Sequence, residues 1–366
     1  MAEQFFIPTK VIAGKGCIRE HASLLAALGA KAMVVTGCHS ALVNGSQADI
    51  TAALQEKRIP YFVYNRIASN PSIAAVREAA AVARDEGADF VIGCGGGSPL
   101  DAAKAIALLA ANDLDDAELF AGIFENPALP MVAVPTTAGT GSEVTQYAIL
   151  TNDRLQTKTS IASEAIFPRL AFLDATYTLS LPLRVTVNTA LDALSHALEG
   201  CLAKRAIALS NLLAAESLRI SGACLPLLRG EEISWTVREQ LLYASMLAGM
   251  VIAHTGTTAL HAMGYSLTYF RDIDHGRANG LLMSEYLRFV AASCRERVEE
   301  ALRRTGFADL DSFQAMLKEL LGEREWISEA EIDRFSAIAI RAKNIGNTLR
   351  NPVQQDLAEI IRRSFI

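Results

Sequence analysis

Asp192 and His196 stand four positions apart in LDALSHALEG, residues 191–200. A helix would project both side chains from one face. Leu191, Ala193, Leu194, Ala197 and Leu198 flank them, so the pair lies close to a buried surface. Burying an unpaired carboxylate costs several kcal/mol, and coordination to a cation removes that penalty. The chain has 6 histidines, and His196, His254, His261 and His275 all fall between residues 196 and 275. His261 sits in an uncharged helical run, and His275 opens HGRANG, where a turn exposes it. Three imidazoles and one carboxylate suit a divalent first-row metal such as Fe(II), Zn or Mn. A histidine on an apolar helix face is also a common core residue, and spacing alone leaves both readings open.

A second kind of chemistry is written in glycine. GCGGGSPLDAAK, residues 93–104, follows a strand signal and opens a helix. Residues without Cβ let the backbone approach a phosphate, and a helix N-terminus offers free N–H groups and partial positive charge. Ser98 can cap that helix, with Asp101 in its first turn. The stretch is neither a Walker A loop nor the usual G-x-G-x-x-G, because Ser98 takes the last glycine's place. Taken alone it is either a phosphate site or a tight strand–helix turn. PTTAGTGSEVT, residues 135–145, again follows a strand and is rich in hydroxyls. Two such loops at the carboxyl ends of parallel strands converge where open α/β sheets bind nucleotides.

These groups need a scaffold, and the first half of the chain supplies one. Residues 31–37, 61–65, 89–95, 130–136 and 170–174 are short apolar runs that predict strands, while 72–88 and 99–112 have helical periodicity. That alternation implies βαβ units and a largely parallel sheet. The opening FFIPTKVIAGKGCI predicts a hairpin turning through Gly14-Lys15-Gly16. After about Pro182 strand signals vanish and apolar residues recur at three- and four-residue spacing. The expected plan is an α/β domain over residues 1–180, with a Rossmann-like parallel sheet, followed by an all-α domain over 181–366.

Composition narrows the function. The chain has 366 residues, 51% of them hydrophobic and 20% charged, as expected of a packed globular enzyme rather than a disordered chain. A net charge of −6 without a basic run argues against nucleic acid as a partner. The 6 cysteines form no CxxC pair, which points to reduced thiols in a cytoplasmic protein. The N-terminus lacks the pattern of a signal peptide. Residues 241–270 carry no Asp, Glu, Lys or Arg. Their glycines, threonines and histidines nonetheless predict a buried helix, a turn and a second helix rather than a membrane span.

GGGSPLDAAKA, PTTAGTGSEVT, LDALSHALEG, LAGMVIAHTGTTALHAMGYSLT and HGRANGLL, in that order, make the chain resemble the iron-dependent (group III) alcohol dehydrogenase family over essentially its whole length. IPTKVIAGKG and VVTGCHSALVNGS add likeness to its 1,3-propanediol dehydrogenase-like members. The resemblance implies a dinucleotide-binding first domain and a helical metal-binding second domain, a plan shared with dehydroquinate synthase. The metal would lie on the floor of the cleft between them. It also implies that Asp192, His196, His261 and His275 correspond to the four metal ligands, iron or zinc. Gly95, Gly96, Gly97, Ser98 and Asp101 would hold pyrophosphate and the nearby ribose. Thr136, Thr137 and Ser142 would contact the adenosine half or the nicotinamide side, Asn70 the cofactor's edge and Lys158 the ribose hydroxyls. The implied reaction is reversible hydride transfer between NAD(P)(H) and a small primary alcohol, diol or aldehyde, with the metal as Lewis acid. A homodimer is the implied assembly.

Three departures matter. Where many members end the first strand with aspartate, this chain has Gly37, with Ser40 nearby. Losing that carboxylate removes repulsion of a 2′-phosphate, so NADP(H) is favoured, with NAD(H) still possible if Gly37 only makes a tight turn. Tyr265 replaces a second histidine four residues after His261, so it is assigned only to lining the pocket. Ala190 replaces a glycine two residues before Asp192, for which a small backbone adjustment is expected. His39 and His254 match no ligand position. A rival reaction class is a metal- and dinucleotide-using lyase resembling 3-dehydroquinate synthase. It would need basic residues around the pocket, and Arg277 is the nearest cation in sequence.

Overall fold

The computed structural model describes residues 3–122, 124–230 and 232–366. They divide into two compact units: Ile7–Thr137 with Ser142–Leu181, and Pro182–Ile366 with the N-terminal segment up to Phe6 and the short stretch Ala138–Gly141.

The first unit is built on a six-stranded sheet. Its strands are β1 (Lys10–Ala13), β2 (Ala32–Thr36), β3 (Tyr61–Tyr64), β4 (Phe90–Gly95), β5 (Met131–Pro135) and β8 (Leu170–Leu173). They lie in the order β1-β8-β5-β4-β2-β3, and every pairing is parallel. Strands β2, β4, β5 and β8 are buried at every residue, which is why they read as continuous apolar runs rather than alternating ones. Phe90, Ile92, Val132, Val134, Phe172 and Tyr177 pack in one core with Ile50 and Leu54 of the helix Ser46–Glu56. Ser72 caps the helix Ile73–Asp85, its side chain accepting from the Ala75 N–H.

Two features differ from the sequence expectation. The opening segment makes no hairpin: β1 pairs in parallel with β8, Lys10 opposite Leu170. The glycine turn itself is present, with φ of 139° at Gly14 and 74° at Gly16, but it leads into the short helix Cys17–Glu20. A local turn signal cannot reveal that the strand before it has a distant partner. An unexpected antiparallel hairpin, β6 (Tyr147–Asn152) with β7 (Thr157–Ala162), follows the second glycine-rich loop.

The second unit is helical. Its main helices are Leu183–Cys201, Ala208–Cys224, Trp235–Thr255, Ala259–Arg271, His275–Arg304, Leu310–Leu321, Glu329–Ala339 and Gln354–Phe365. Cys294 interrupts the helical backbone within His275–Arg304, at φ −136° and ψ 50°. The uncharged stretch 241–270 is a helix, a turn at Gly256 and a second helix, as expected. Among the described residues no helix is long and apolar enough to cross a membrane.

Candidate functional site

Three helices of the second unit carry the candidate ligands. Leu183–Cys201 presents Asp192, His196 and Glu199 at i, i+4 and i+7, one face of a 3.6-residue helix. Ala259–Arg271 offers His261 in its first turn, and His275 opens His275–Arg304. Close approach brings these elements together: a Cβ on Gly276 would sit 1.8 Å from the Asn188 carbonyl oxygen, so only glycine fits there.

One ligand atom each from Asp192, His261 and His275 lies within 4.8 Å of the others. The Nε2 atoms of His261 and His275 are both 3.8 Å from Asp192 Oδ1. Asn279, one helical turn after His275, donates from Nδ2 to Asp192 Oδ1 at 3.1 Å. The same nitrogen lies 3.2 Å from His261 Nε2 and 3.3 Å from His275 Nε2. His196 is not in that group of three. Its ring stacks on His261 with centroids 4.6 Å apart, and its Nδ1 is 3.3 Å from the Gly139 carbonyl. A carbonyl only accepts, so Nδ1 carries the proton and Nε2 keeps its lone pair.

Burial alone would raise the pKa of Asp192. The histidines around it and the Asn279 amide hold it below its usual range. Burial pulls His196 down, against Asp192, so the imidazole favours the neutral form that can ligate. A buried carboxylate ringed by imidazoles is a donor set that fits one divalent cation. Tyr265 stacks on His275 with centroids 5.3 Å apart and lies edge-on to His261, and so belongs to this cluster. His254 packs instead against Phe5, and His39 is exposed.

The first unit gathers the other candidates at the carboxyl ends of β4 and β5, where Gly95 pairs with Pro135. Gly95 has φ 148°, which L side chains rarely adopt, and its carbonyl accepts from Thr136 N at 2.9 Å. A Cβ on Gly96 would stand 3.2 Å from Thr137 Oγ1, so the two glycine-rich loops touch. Gly97 begins the helix Gly97–Ala111, and Ser98 Oγ accepts from Asn70 N at 3.0 Å. Lys158 Nζ, from β7, donates to Asn70 Oδ1 at 2.7 Å. Asn70, Ser98 and Lys158 therefore form one linked set. Gly37 is half-buried and Ser40 exposed, just beyond β2.

Asp101 and Ser142 are buried and form a second linked set. Ser142 Oγ donates to Asp101 Oδ1 at 2.6 Å, and the Ile149 N–H donates to Asp101 Oδ2 at 3.1 Å. Beneath them Lys104, fully buried, donates to Ser142 Oγ, Thr145 Oγ1 and the Tyr147 carbonyl. Burial pulls Lys104 down to about 8, and it pushes neighbouring Glu143 up to about 7. This network ties the helix of the first glycine loop to the chain leaving the second.

Residues 8–175 match the iron-containing alcohol dehydrogenase model, and residues 186–365 match its C-terminal counterpart. The chain belongs to the iron-containing alcohol dehydrogenase family. It is 34% identical to the probable alcohol dehydrogenase EutG of Escherichia coli K12, over 87% of this chain and 82% of that one. It is 30% identical to the 1,3-propanediol dehydrogenase of Klebsiella pneumoniae, over 92% of each. Sulfoacetaldehyde reductase from Bifidobacterium kashiwanohense, solved in complex with NAD+, superposes with a TM-score of 0.88 at 29% identity. That match covers 99% of this chain and 98% of the other. The protein is thus an oxidoreductase acting on CH–OH groups, and the lyase reading falls away. Arg277, the cation nearest the ligands in sequence, is committed to Glu325 and to the Leu321 and Glu323 carbonyls.

Sequence reasoning passed over Glu199, Thr258, Asn279 and Tyr286. Glu199 was detectable, since it continues the i, i+4, i+7 stripe of Asp192 and His196. Asn279 was detectable as well, one helical turn after His275 in HGRANG, whereas Thr258 and Tyr286 connect to Glu199 through contacts 59 and 28 residues apart that no local pattern reveals.

Proposed function

We propose that Asp192, His196, His261 and His275 hold one divalent metal, with iron(II) favoured and zinc the alternative. With it the protein interconverts small primary alcohols and their aldehydes using a nicotinamide dinucleotide. The observation that carries this reading is the convergence of the Asp192, His261 and His275 ligand atoms within 4.8 Å, with His196 stacked against His261. When bound, the ion supplies Lewis acidity to the substrate oxygen, and the nicotinamide gives or takes the hydride. The chain's own residues do the rest. Asp192 stays ionised to neutralise the cation, and His196 presents the nitrogen that Gly139 leaves unprotonated. Tyr265 stacks against one face of His275 and orients its ring. Asn70, Ser98 and Lys158, beside Gly95, Gly96, Gly97, Thr136 and Thr137, hold the dinucleotide, while Asp101 and Ser142 shape the loops behind them.

NADP(H) is the favoured dinucleotide. Gly37 has an ordinary φ, and a Cβ there would meet only the Ile67 carbonyl at 3.5 Å, ordinary contact. Neither the turn nor the packing requires glycine, which leaves room for a 2′-phosphate as its functional use. The NAD+ complex of the sulfoacetaldehyde reductase supports NAD(H) as the alternative. Six unpaired cysteines support a cytoplasmic setting, and a homodimer is carried over from the family likeness. The test is aldehyde-dependent oxidation of NADPH and NADH by protein stripped of metal and then reloaded anaerobically with Fe(II) or Zn(II). Restored turnover with one of these ions supports the reading, and turnover unaffected by stripping refutes it.

A further inference from the structure

Glu199 has no place in the reading above, yet it is fully buried and carries an unusual number of hydrogen bonds. Its Oε1 accepts from Thr258 N at 2.8 Å, Thr258 Oγ1 at 2.6 Å and His261 N at 3.3 Å. Its Oε2 faces His261 Nδ1 at hydrogen-bond contact. Thr258 spends its one hydroxyl proton on Glu199, so the Tyr286 hydroxyl, 2.7 Å away, must donate to Thr258 Oγ1. The turn before His261 is fixed from another side as well. Asn347 donates to the Thr255 and Thr257 carbonyls, and Asn344 donates to the Thr258 carbonyl.

We propose that Glu199 is a positioning residue for the metal site, locking His261 as its Nδ1–H tautomer so that Nε2 keeps a lone pair aimed at Asp192 and His275. The inference rests on the ligand set proposed above. A carboxylate behind a ligating imidazole fixes its tautomer and orientation and strengthens it as a donor. Here the carboxylate cannot turn away, because Oε1 is pinned by three donors from the same turn that carries His261. Tyr286 and Thr258 form the outer links of that clamp.

A merely structural Glu199 would act only as an acceptor at the start of the Ala259–Arg271 helix. Glu199→Gln separates the two roles. Three donors oblige the amide oxygen to stay at the Oε1 position, so the NH2 group faces His261 Nδ1. That donor forces the imidazole proton onto Nε2, the metal-facing nitrogen. The experiment is competitive titration of Zn(II) against a chromophoric chelator, using metal-free full-length protein, with thermal unfolding of the same samples. E199Q should bind Zn(II) about 10–100-fold more weakly, with the metal-free unfolding midpoint little changed. Zn(II) affinity within threefold of wild type overturns the proposal. Nitrogen-15 NMR of the histidines in zinc-loaded wild-type protein is a second reading that needs no variant to fold. It should find His261 protonated at Nδ1, and protonation at Nε2 overturns the proposal. His261→Ala serves as the control. If it loses zinc while E199Q retains it, only this inference fails. If it keeps zinc, the ligand assignment fails first and takes the inference with it.

Discussion

Glu143 lies in the second glycine-rich loop, 2% exposed, with its Oε1 buried and without a hydrogen-bond partner. Burial outweighs its own backbone N–H and the Lys104 ammonium, and it titrates near 7 rather than 4.5. The folded protein therefore holds a proton that the unfolded chain releases between those two values. Stability from this group is greatest below pH 4.5, declines as pH rises to 7, and is flat above. At about 1.4 kcal/mol per pH unit, the decline across the window comes to about 3 kcal/mol. Glu143→Gln keeps the shape and removes the titration. The decisive quantity is the stability difference between wild type and E143Q, from urea unfolding at intervals from pH 4.5 to 8. Groups that do not interact with Glu143 cancel in that difference. Relative to the variant, wild type should lose about 3 kcal/mol from pH 4.5 to 7. A difference that does not vary with pH would refute the burial argument for this loop.

Two further outcomes follow from glycine positions. Gly37→Asp places a carboxylate beyond β2 and should shift the NADPH-to-NADH ratio of kcat/KM toward NADH by about tenfold or more, the factor that ~1.4 kcal/mol of repulsion represents. An unchanged ratio would remove Gly37 from cofactor choice. Gly276→Ala drives a Cβ into the Asn188 carbonyl, a backbone atom that cannot rotate aside. It should cost about 1–3 kcal/mol of stability by overpacking and weaken metal binding by parting His275 from Asp192. Guanidinium unfolding and zinc titration read the two effects, and wild-type values in both would contradict the packing described here.

The inner strands β2, β4, β5 and β8 were legible because parallel strands buried on both faces stand out as continuous apolar runs. The β6–β7 hairpin was missed although Tyr147–Asn152 alternates buried and half-buried residues. The hydroxyl-rich loop before it drew the reading toward phosphate chemistry instead. The hairpin expected at the N-terminus failed for the opposite reason, since a strong local turn concealed a strand whose partner is Leu170–Leu173. In the helical unit, Asp192 and His196 were visible as one stripe, whereas joining them to His261 and His275 needed the likeness of five motifs. Asp101 and Ser142 were assigned to the cofactor from the glycine-rich motifs they belong to. Their mutual hydrogen bond, closed by the buried Lys104, depends on a contact 41 residues apart that periodicity cannot reveal.

Asp192, His196, His261 and His275 are proposed to share one divalent ion. Elemental analysis of anaerobically purified protein, wild type beside D192A and H261A, measures it most directly. Wild type should carry one metal ion per chain and either variant almost none. Full metal content in D192A or H261A would contradict it, whatever the activity of the preparation.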